Sequence, residues 1–314
     1  METKKYMRKT EGLIAAAFTP FNPDGSVNFD MIPVLTEKLI NDGLKGIFVC
    51  GSNGEGPNMT TEERMQVAEA FIKAAKKRLL MIVHVGHSSI AEAKTLAAHA
   101  VNCGADAFSS VAGFYFKPTG VKNLAESMAE IAGAAPSLPF YYYHIPHLTG
   151  LGMDMIAFLQ EAQPVIPNLA GIKYTASTIQ EFQSCINYQN KNYDMMYGLD
   201  ELLLPALSVG ARAAIGSTYT FAAPVYLKTI QLFDEGKIKE AQENHLFMVD
   251  VIRAFVKYPP IPAQKAMMKM LGWDLGPARL PLKTLSEGDY QSLYNELKTL
   301  SFFERVPVNA TVNE

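Results

Sequence analysis

Lys173 closes the otherwise apolar run Leu169-Ala170-Gly171-Ile172-Lys173-Tyr174. Taking an ammonium out of water is costly unless it is paired, so burial there drives the amine towards neutrality. A lysine amine that is neutral near pH 7 can attack a ketone and form a Schiff base. The opposing reading is a strand-end lysine with a buried stem whose charged tip reaches solvent. The run alone leaves both open. Tyr143, the last residue of Tyr141-Tyr142-Tyr143, is equally ambiguous. It is either part of a packed wall or a phenol that moves a proton or holds a carboxylate beside the lysine.

Other segments carry weaker signals. Gly51-Ser52-Asn53-Gly54-Glu55-Gly56 is a loop of small residues whose backbone N–H groups could cradle a carboxylate, or a plain strand-to-helix turn. Gly216-Ser217-Thr218 stands where many barrels bind phosphate, and equally where a helix would be capped. His84 and His87, like His144 and His147, are three residues apart. Neither pair has the H-E-x-x-H pattern or a companion carboxylate at helical spacing, so no metal site is expected. Asp106 and the surface charge runs read as solvated faces.

These residues need a scaffold, and the chain supplies a repetitive one. Short apolar runs begin at Leu13, Gly46, Leu80, Ala107, Pro139, Leu169, Asp194 and Ala213. Most are continuous rather than alternating, as strands buried on both faces should be. Amphipathic segments lie between them, such as 60–78, opened by Thr60-Thr61-Glu62-Glu63, and 89–103, ended by Gly104. Eight such units predict an α/β fold of the (β/α)8 TIM-barrel class. A doubly wound open sheet is the rival, but no G-x-G-x-x-G follows the first strand. In a barrel, chemistry sits at the C-terminal strand ends. That rule selects Ser52, Asn53 and Glu55, His84 and His87, Tyr115, Tyr143 and His144, Lys173 and Thr175, Asp200 and Glu201, and Ser217 and Tyr219.

After the eighth run the pattern becomes helical, with helices expected at 224–234, 237–257, 262–271 and 287–300. Only the first is needed to close a barrel. The expected organisation is therefore a barrel over 1–235 and a helical extension over 236–314, packed as one unit.

Composition excludes several classes. Of 314 residues, 48% are hydrophobic and 19% charged, and mean hydropathy is +0.03, which suits a soluble protein with a large core. A net charge of −3 gives no general attraction to nucleic acid or anionic membrane. The basic cluster Lys4, Lys5, Arg8 and Lys9 reads as a frayed terminus, and no following apolar run is long enough for a signal peptide or a membrane span. Cys50, Cys103 and Cys185 form neither a metal motif nor a disulfide framework, which is consistent with a reduced, cytoplasmic protein.

Five motifs in order resemble the dihydrodipicolinate synthase/N-acetylneuraminate lyase family over about residues 12–271. They are Gly51-Ser52-x-Gly54-Glu55, Tyr143 followed by Ile145-Pro146, Gly171-Ile172-Lys173, Gly198-x-Asp200, and Gly216-Ser217-Thr218. The resemblance implies a homotetrameric barrel with C-terminal helices, and a Schiff base between Lys173 and the C2 keto carbon of pyruvate or a pyruvate-derived substrate. It makes Tyr143 the phenol for proton transfer, and gives the substrate carboxylate to Ser52 and to Asn53, which stands where the family has threonine. No metal or organic cofactor is implied, because the lysine imine is itself the electrophile. Where the synthase branch has an arginine, five residues after the tyrosine, this chain has Leu148, which cannot pair with a second carboxylate. The sialic acid branch has leucine there. That implies cleavage of N-acetylneuraminate to N-acetylmannosamine and pyruvate, with Gly198, Asp200, Glu201, Ser217 and Thr175 around a polyol chain and Tyr115 nearby. The alternatives are an aldolase for another 2-keto-3-deoxy sugar acid, dihydrodipicolinate synthase, or a keto-acid-binding barrel without turnover.

Overall fold

All eight apolar runs form strands, and the strands close a barrel in sequence order. The computed structural model describes residues 9–309. Its strands are β1 (Gly12–Ala16), β2 (Gly46–Val49), β3 (Leu80–His84), β4 (Ala107–Val111), β5 (Phe140–His144), β6 (Leu169–Tyr174), β7 (Asp194–Tyr197) and β8 (Ala213–Gly216). This is the expected (β/α)8 barrel. Lys4, Lys5 and Arg8, read as a frayed terminus, lie outside the described residues.

Helices follow the strands: α1 (Met31–Asn41), α2 (Thr61–Ala75), α3 (Ile90–Asn102), α4 (Val121–Ala132), the single turn α5 (Pro146–Thr149), α6 (Met155–Ala162), α7 (Ile179–Asn187), α8 (Leu203–Ser208) and α9 (Tyr219–Asp234). Then come α10 (Ile238–Phe255), α11 (Pro260–Met270), α12 (Glu287–Thr299) and the short α13 (Phe302–Arg305). Thr60 caps α2 as its sequence suggests. The Glu63 N–H donates to Thr60 Oγ1 at 3.1 Å, and the Thr60 N–H donates back to Glu63 Oε2 at 3.0 Å. This capping box satisfies two otherwise orphaned donors.

One helix differs from its sequence reading. Residues 224–234 were expected to form it, with Pro224 at its start, yet α9 begins at Tyr219 and carries Pro224 inside. The chain accommodates the proline by a kink at Ala222, whose φ of −120° and ψ of 21° leave the helical region.

Strand register sorts the side chains. Val111, Tyr143, Lys173 and Met196 are partners across β4, β5, β6 and β7. Their neighbours Tyr142, Tyr174 and Tyr197 pack outward: Tyr142 lies 4.6 Å from Phe158 of α6, and Tyr174 and Tyr197 lie 5.5 and 4.8 Å from Phe182 of α7. Alternation along a strand then turns Tyr143 and Lys173 to the barrel interior.

Two residues further down, Tyr141, Gly171 and Asp194 share a row. The Tyr141 hydroxyl donates to Asp194 Oδ2 at 2.9 Å, and the Thr10 N–H to the same oxygen at 3.1 Å. Gly171 has no alternative there, since a Cβ would stand 1.6 Å from the Asp194 carbonyl oxygen. Asp106, expected to be merely solvated, uses its carboxylate to accept the Met81 N–H at 2.8 Å and so fixes the start of β3.

The described residues form two compact units, one of 9–14, 45–48 and 80–215, the other of 15–44, 49–79 and 216–309. No helix among them is long and apolar enough to cross a membrane.

Candidate active site

Lys173 is 3% exposed, so its ammonium does not reach water. Its Nζ lies 3.9 Å from the ring centroid of Tyr143 and 4.0 Å from that of Phe48. Those rings meet edge to face at 5.5 Å, and the His84 ring stands 5.8 Å from each. Burial pushes the lysine from 10.5 down to about 7, against the Asp200 carboxylate, which pulls the other way. Two faces of ring quadrupole soften the loss of water but do not replace it. With a pKa of about 7 roughly half the amine is neutral at pH 7, compared with about 3 parts in 10,000 for an ordinary lysine. The reading with a solvated tip fails on this geometry.

Asp200 is buried at the start of the turn after β7. Gly198 precedes it because Thr175 occupies the space a side chain would need: a Cβ at Gly198 would meet Thr175 Oγ1 at 1.9 Å. The Thr175 N–H donates to the His144 carbonyl at 2.8 Å, while its buried hydroxyl oxygen has no protein partner. A buried, approximately neutral amine next to a phenol ring, with a carboxylate and an unused hydroxyl nearby, can perform nucleophilic addition to a carbonyl and hold the oxygens of the adduct.

The loop 51–56 belongs to the second unit and is held by a buried polar lock. Glu55 was grouped with Ser52 and Asn53 as a candidate contact, but the structure turns it away from them. It is 1% exposed with φ at 54°, a left-handed conformation that a non-glycine residue adopts only when its surroundings compel it. Glu55 Oε1 lies 2.8 Å from Lys265 Nζ, and Oε2 accepts the Arg279 N–H at 2.8 Å. Lys265 also donates to the Pro277 carbonyl at 2.9 Å, and both cations stack on Phe21, each 4.3 Å from its centroid. Thr19 Oγ1 donates to the Gly54 carbonyl at 2.7 Å. At Gly56 a Cβ would stand 2.0 Å from the Cys50 carbonyl oxygen. The glycines are therefore demanded by packing, and the glutamate anchors the loop that presents Ser52 and Asn53.

The Dihydrodipicolinate synthetase family model matches residues 9–300. The chain belongs to this family. Within the dihydrodipicolinate synthetase family it is 38% identical over 292 residues to the N-acetylneuraminate lyase of Xenopus tropicalis, an alignment covering 90% of this chain and 94% of that one. Among solved structures, the N-acetylneuraminate lyase of Proteus mirabilis is 39% identical with a TM-score of 0.91, covering 94% of this chain and all of that one. A Ruminococcus gnavus sialic acid aldolase catalytic lysine mutant is 27% identical with a TM-score of 0.88, covering 94% of this chain and 97% of that one.

The remaining candidates of this family member are distributed unevenly. Tyr115 is 78% exposed in the segment after β4, and Leu148 is 58% exposed on α5. Glu201 is half-buried beside Asp200. Ser217, in the second unit, is half-buried, and its carbonyl accepts the Thr220 N–H at 3.0 Å as α9 begins. Tyr219 is buried against Tyr226. His144 points away from the cage, its ring 5.0 Å from Tyr174, and burial lowers it to about 4 despite the Glu181 carboxylate. Among the described residues no cluster of three His, Cys, Asp or Glu could hold a metal.

Two features escaped the sequence. Phe48 is half of the lysine's wall, yet in the run Gly46-Ile47-Phe48-Val49 it carries no mark beyond being apolar. Lys265 sits among Ala263, Ala266, Met267 and Met268 on the buried side of α11. A lysine at a helix position otherwise apolar is a legible signal, of the same kind that singled out Lys173.

Proposed function

We propose that this chain is a Schiff-base aldolase that reversibly cleaves N-acetylneuraminate to N-acetylmannosamine and pyruvate, working as a homotetramer in the cytoplasm. The observation that carries the reading is the caged Lys173 amine, lowered to about 7 by burial. N-acetylneuraminate lyases are 38 and 39% identical over nearly the whole chain, and a neighbour of the same fold is described by its catalytic lysine.

In this reading the neutral Lys173 Nζ adds to the C2 ketone of the open-chain sugar acid. The carbinolamine loses water to give a protonated imine. The C4 hydroxyl gives up its proton, the C3–C4 bond breaks, and its electron pair moves into the imine as an enamine while N-acetylmannosamine leaves as the aldehyde. Protonation at C3 and hydrolysis return the amine and release pyruvate. Tyr143, in register with Lys173 and with its ring centroid 3.9 Å from Nζ, is the phenol assigned to carry these protons. Ser52 and Asn53 are assigned the substrate carboxylate, and Asp200, Glu201, Thr175, Gly198 and Ser217 the hydroxyl-bearing chain. The iminium is the electron sink, so the route needs neither metal nor organic cofactor.

Leu148 favours this substrate over dihydrodipicolinate synthesis, since it offers no charge to a second carboxylate. The test is pyruvate release from N-acetylneuraminate beside 2-keto-3-deoxygluconate. Preferential turnover of the first is expected; a strong preference for the second would defeat the substrate assignment while leaving the Schiff base intact.

A further inference from the structure

The strand β3 reads Leu80-Met81-Ile82-Val83-His84, an apolar run that ends on a histidine. The strand pairs show where its imidazole goes. His84 is the partner of Ser109, and Ser109 stands two residues before Val111, the partner of Tyr143. Side chains two apart on a strand share a face, so His84 points into the barrel with Tyr143 and Lys173. There it is 3% exposed, as closed off from water as Phe48 and Tyr143.

The three rings form a nearly equilateral triangle. Phe48 and Tyr143 are 5.5 Å apart, and the imidazole is 5.8 Å from each, perpendicular to Tyr143 and tilted by 43° against Phe48. The two rings that wall Lys173 Nζ therefore share one backing. The imidazole is itself backed. A Cβ at Gly86 would stand 2.8 Å from His84 Nε2 and 2.8 Å from Val111 Cγ2, so a glycine is needed for the chain to close behind the ring. The Val85 N–H donates to the Ser109 carbonyl at 2.7 Å and fixes the chain between them. With no slack on its outer side, the imidazole is held against the rings it supports.

We infer that His84 is a positioning residue for the Schiff-base chemistry: its bulk keeps Phe48 and Tyr143 closed over Lys173 Nζ and so keeps water from the amine. This rests on the Schiff-base reading of Lys173 and adds the group that maintains it. Loss of water is the chief cause of the lysine's lowered pKa, so an opened cage raises that pKa. The other groups beside the amine stay constant when His84 is changed. They are Asp200, from the turn after β7, and Tyr143, from β5. Phe48 of β2 and Met196 of β7 do not titrate.

Borohydride trapping of pyruvate on Lys173 is followed across pH in the full chain, for wild type, His84→Ala and His84→Leu. His84→Ala removes the backing, and the half-maximum of imine formation should move from about pH 7 to about pH 8 or above. A rise of about one unit cuts the neutral amine at pH 7 from about one half to about one tenth, so trapping slows about fivefold there and recovers to within about twofold at pH 9. General damage to the fold would slow trapping equally at both pH values. His84→Leu, similar in volume, should keep the wild-type profile. Should His84→Ala not fold, His84→Asn, smaller than histidine but polar, takes its place and should give a smaller shift in the same direction. An unchanged half-maximum in the smaller variant, or a deficit as large at pH 9 as at pH 7, overturns the role of His84 alone. So does an equal shift in His84→Leu, which would trace the effect to the imidazole's chemistry rather than its bulk. Absence of any pyruvate adduct in the unsubstituted chain overturns the Schiff-base reading and this role with it.

Discussion

Replacing Lys173 with methionine should stabilise the protein, and the gain should depend on pH. Burial lowers the lysine from 10.5 to about 7 in the folded chain. Converted at about 1.4 kcal/mol per pH unit, that difference sets a ceiling of about 5 kcal/mol on the cost of folding around the charged amine. Contacts with the Phe48 and Tyr143 rings and local relaxation reduce what is realised, so a gain of about 2–5 kcal/mol is expected. Below pH 7 the amine is protonated both folded and unfolded, and the native state carries the full cost. Between pH 7 and 10.5 the unfolded chain holds a proton that the folded chain has released, so wild-type stability rises with pH relative to the variant. Above 10.5 both states are neutral and this advantage of methionine is gone. Methionine is close to lysine in volume and leaves no large cavity. Urea unfolding of both proteins at pH 6, 8 and 10 measures the difference. A variant less stable than wild type at pH 6, or a difference that does not change with pH, would refute the argument that Lys173 is buried at the expense of its charge.

Three further outcomes follow from the same geometry. Tyr143→Phe keeps the ring that walls the lysine and removes only the hydroxyl, so the pyruvate adduct should still be trapped while turnover falls about 10²- to 10⁴-fold; loss of both together would make Tyr143 structural. Asp200→Asn removes the carboxylate that holds the Lys173 pKa up, so the acid limb of imine formation should move below that of wild type, and a shift to higher pH would contradict the assignment. Glu55→Gln leaves the buried Lys265 ammonium without its counter-charge, which should cost about 3–5 kcal/mol in urea unfolding. The Glu55→Met, Lys265→Met pair should recover most of that stability, whereas a pair no better than Glu55→Gln alone would show that the ion pair is not the lock.

The barrel was legible because parallel strands buried on both faces read as unbroken apolar runs, and all eight were found within a residue or two of their ends. The capping box at Thr60 was legible for a local reason: its two bonds join residues three apart. The start of α9 was not, because a proline normally marks a helix's first turn and here a kink at Ala222 absorbs it. In the candidate site, Lys173 betrayed itself as a charge in an apolar strand. Phe48 had no such contrast, and its role appears only when β2 is folded near β6. Glu55 misled for the opposite reason. Its loop invites a ligand, and the true partners, Lys265 and Arg279, are more than 200 residues away in sequence.

Borohydride trapping with pyruvate across the pH range tests the central claim most directly. The account predicts a stable reduced adduct on Lys173 alone, with the rate of imine formation half-maximal near pH 7. No adduct at Lys173, or a half-maximum near the 10.5 of an ordinary lysine, would contradict it.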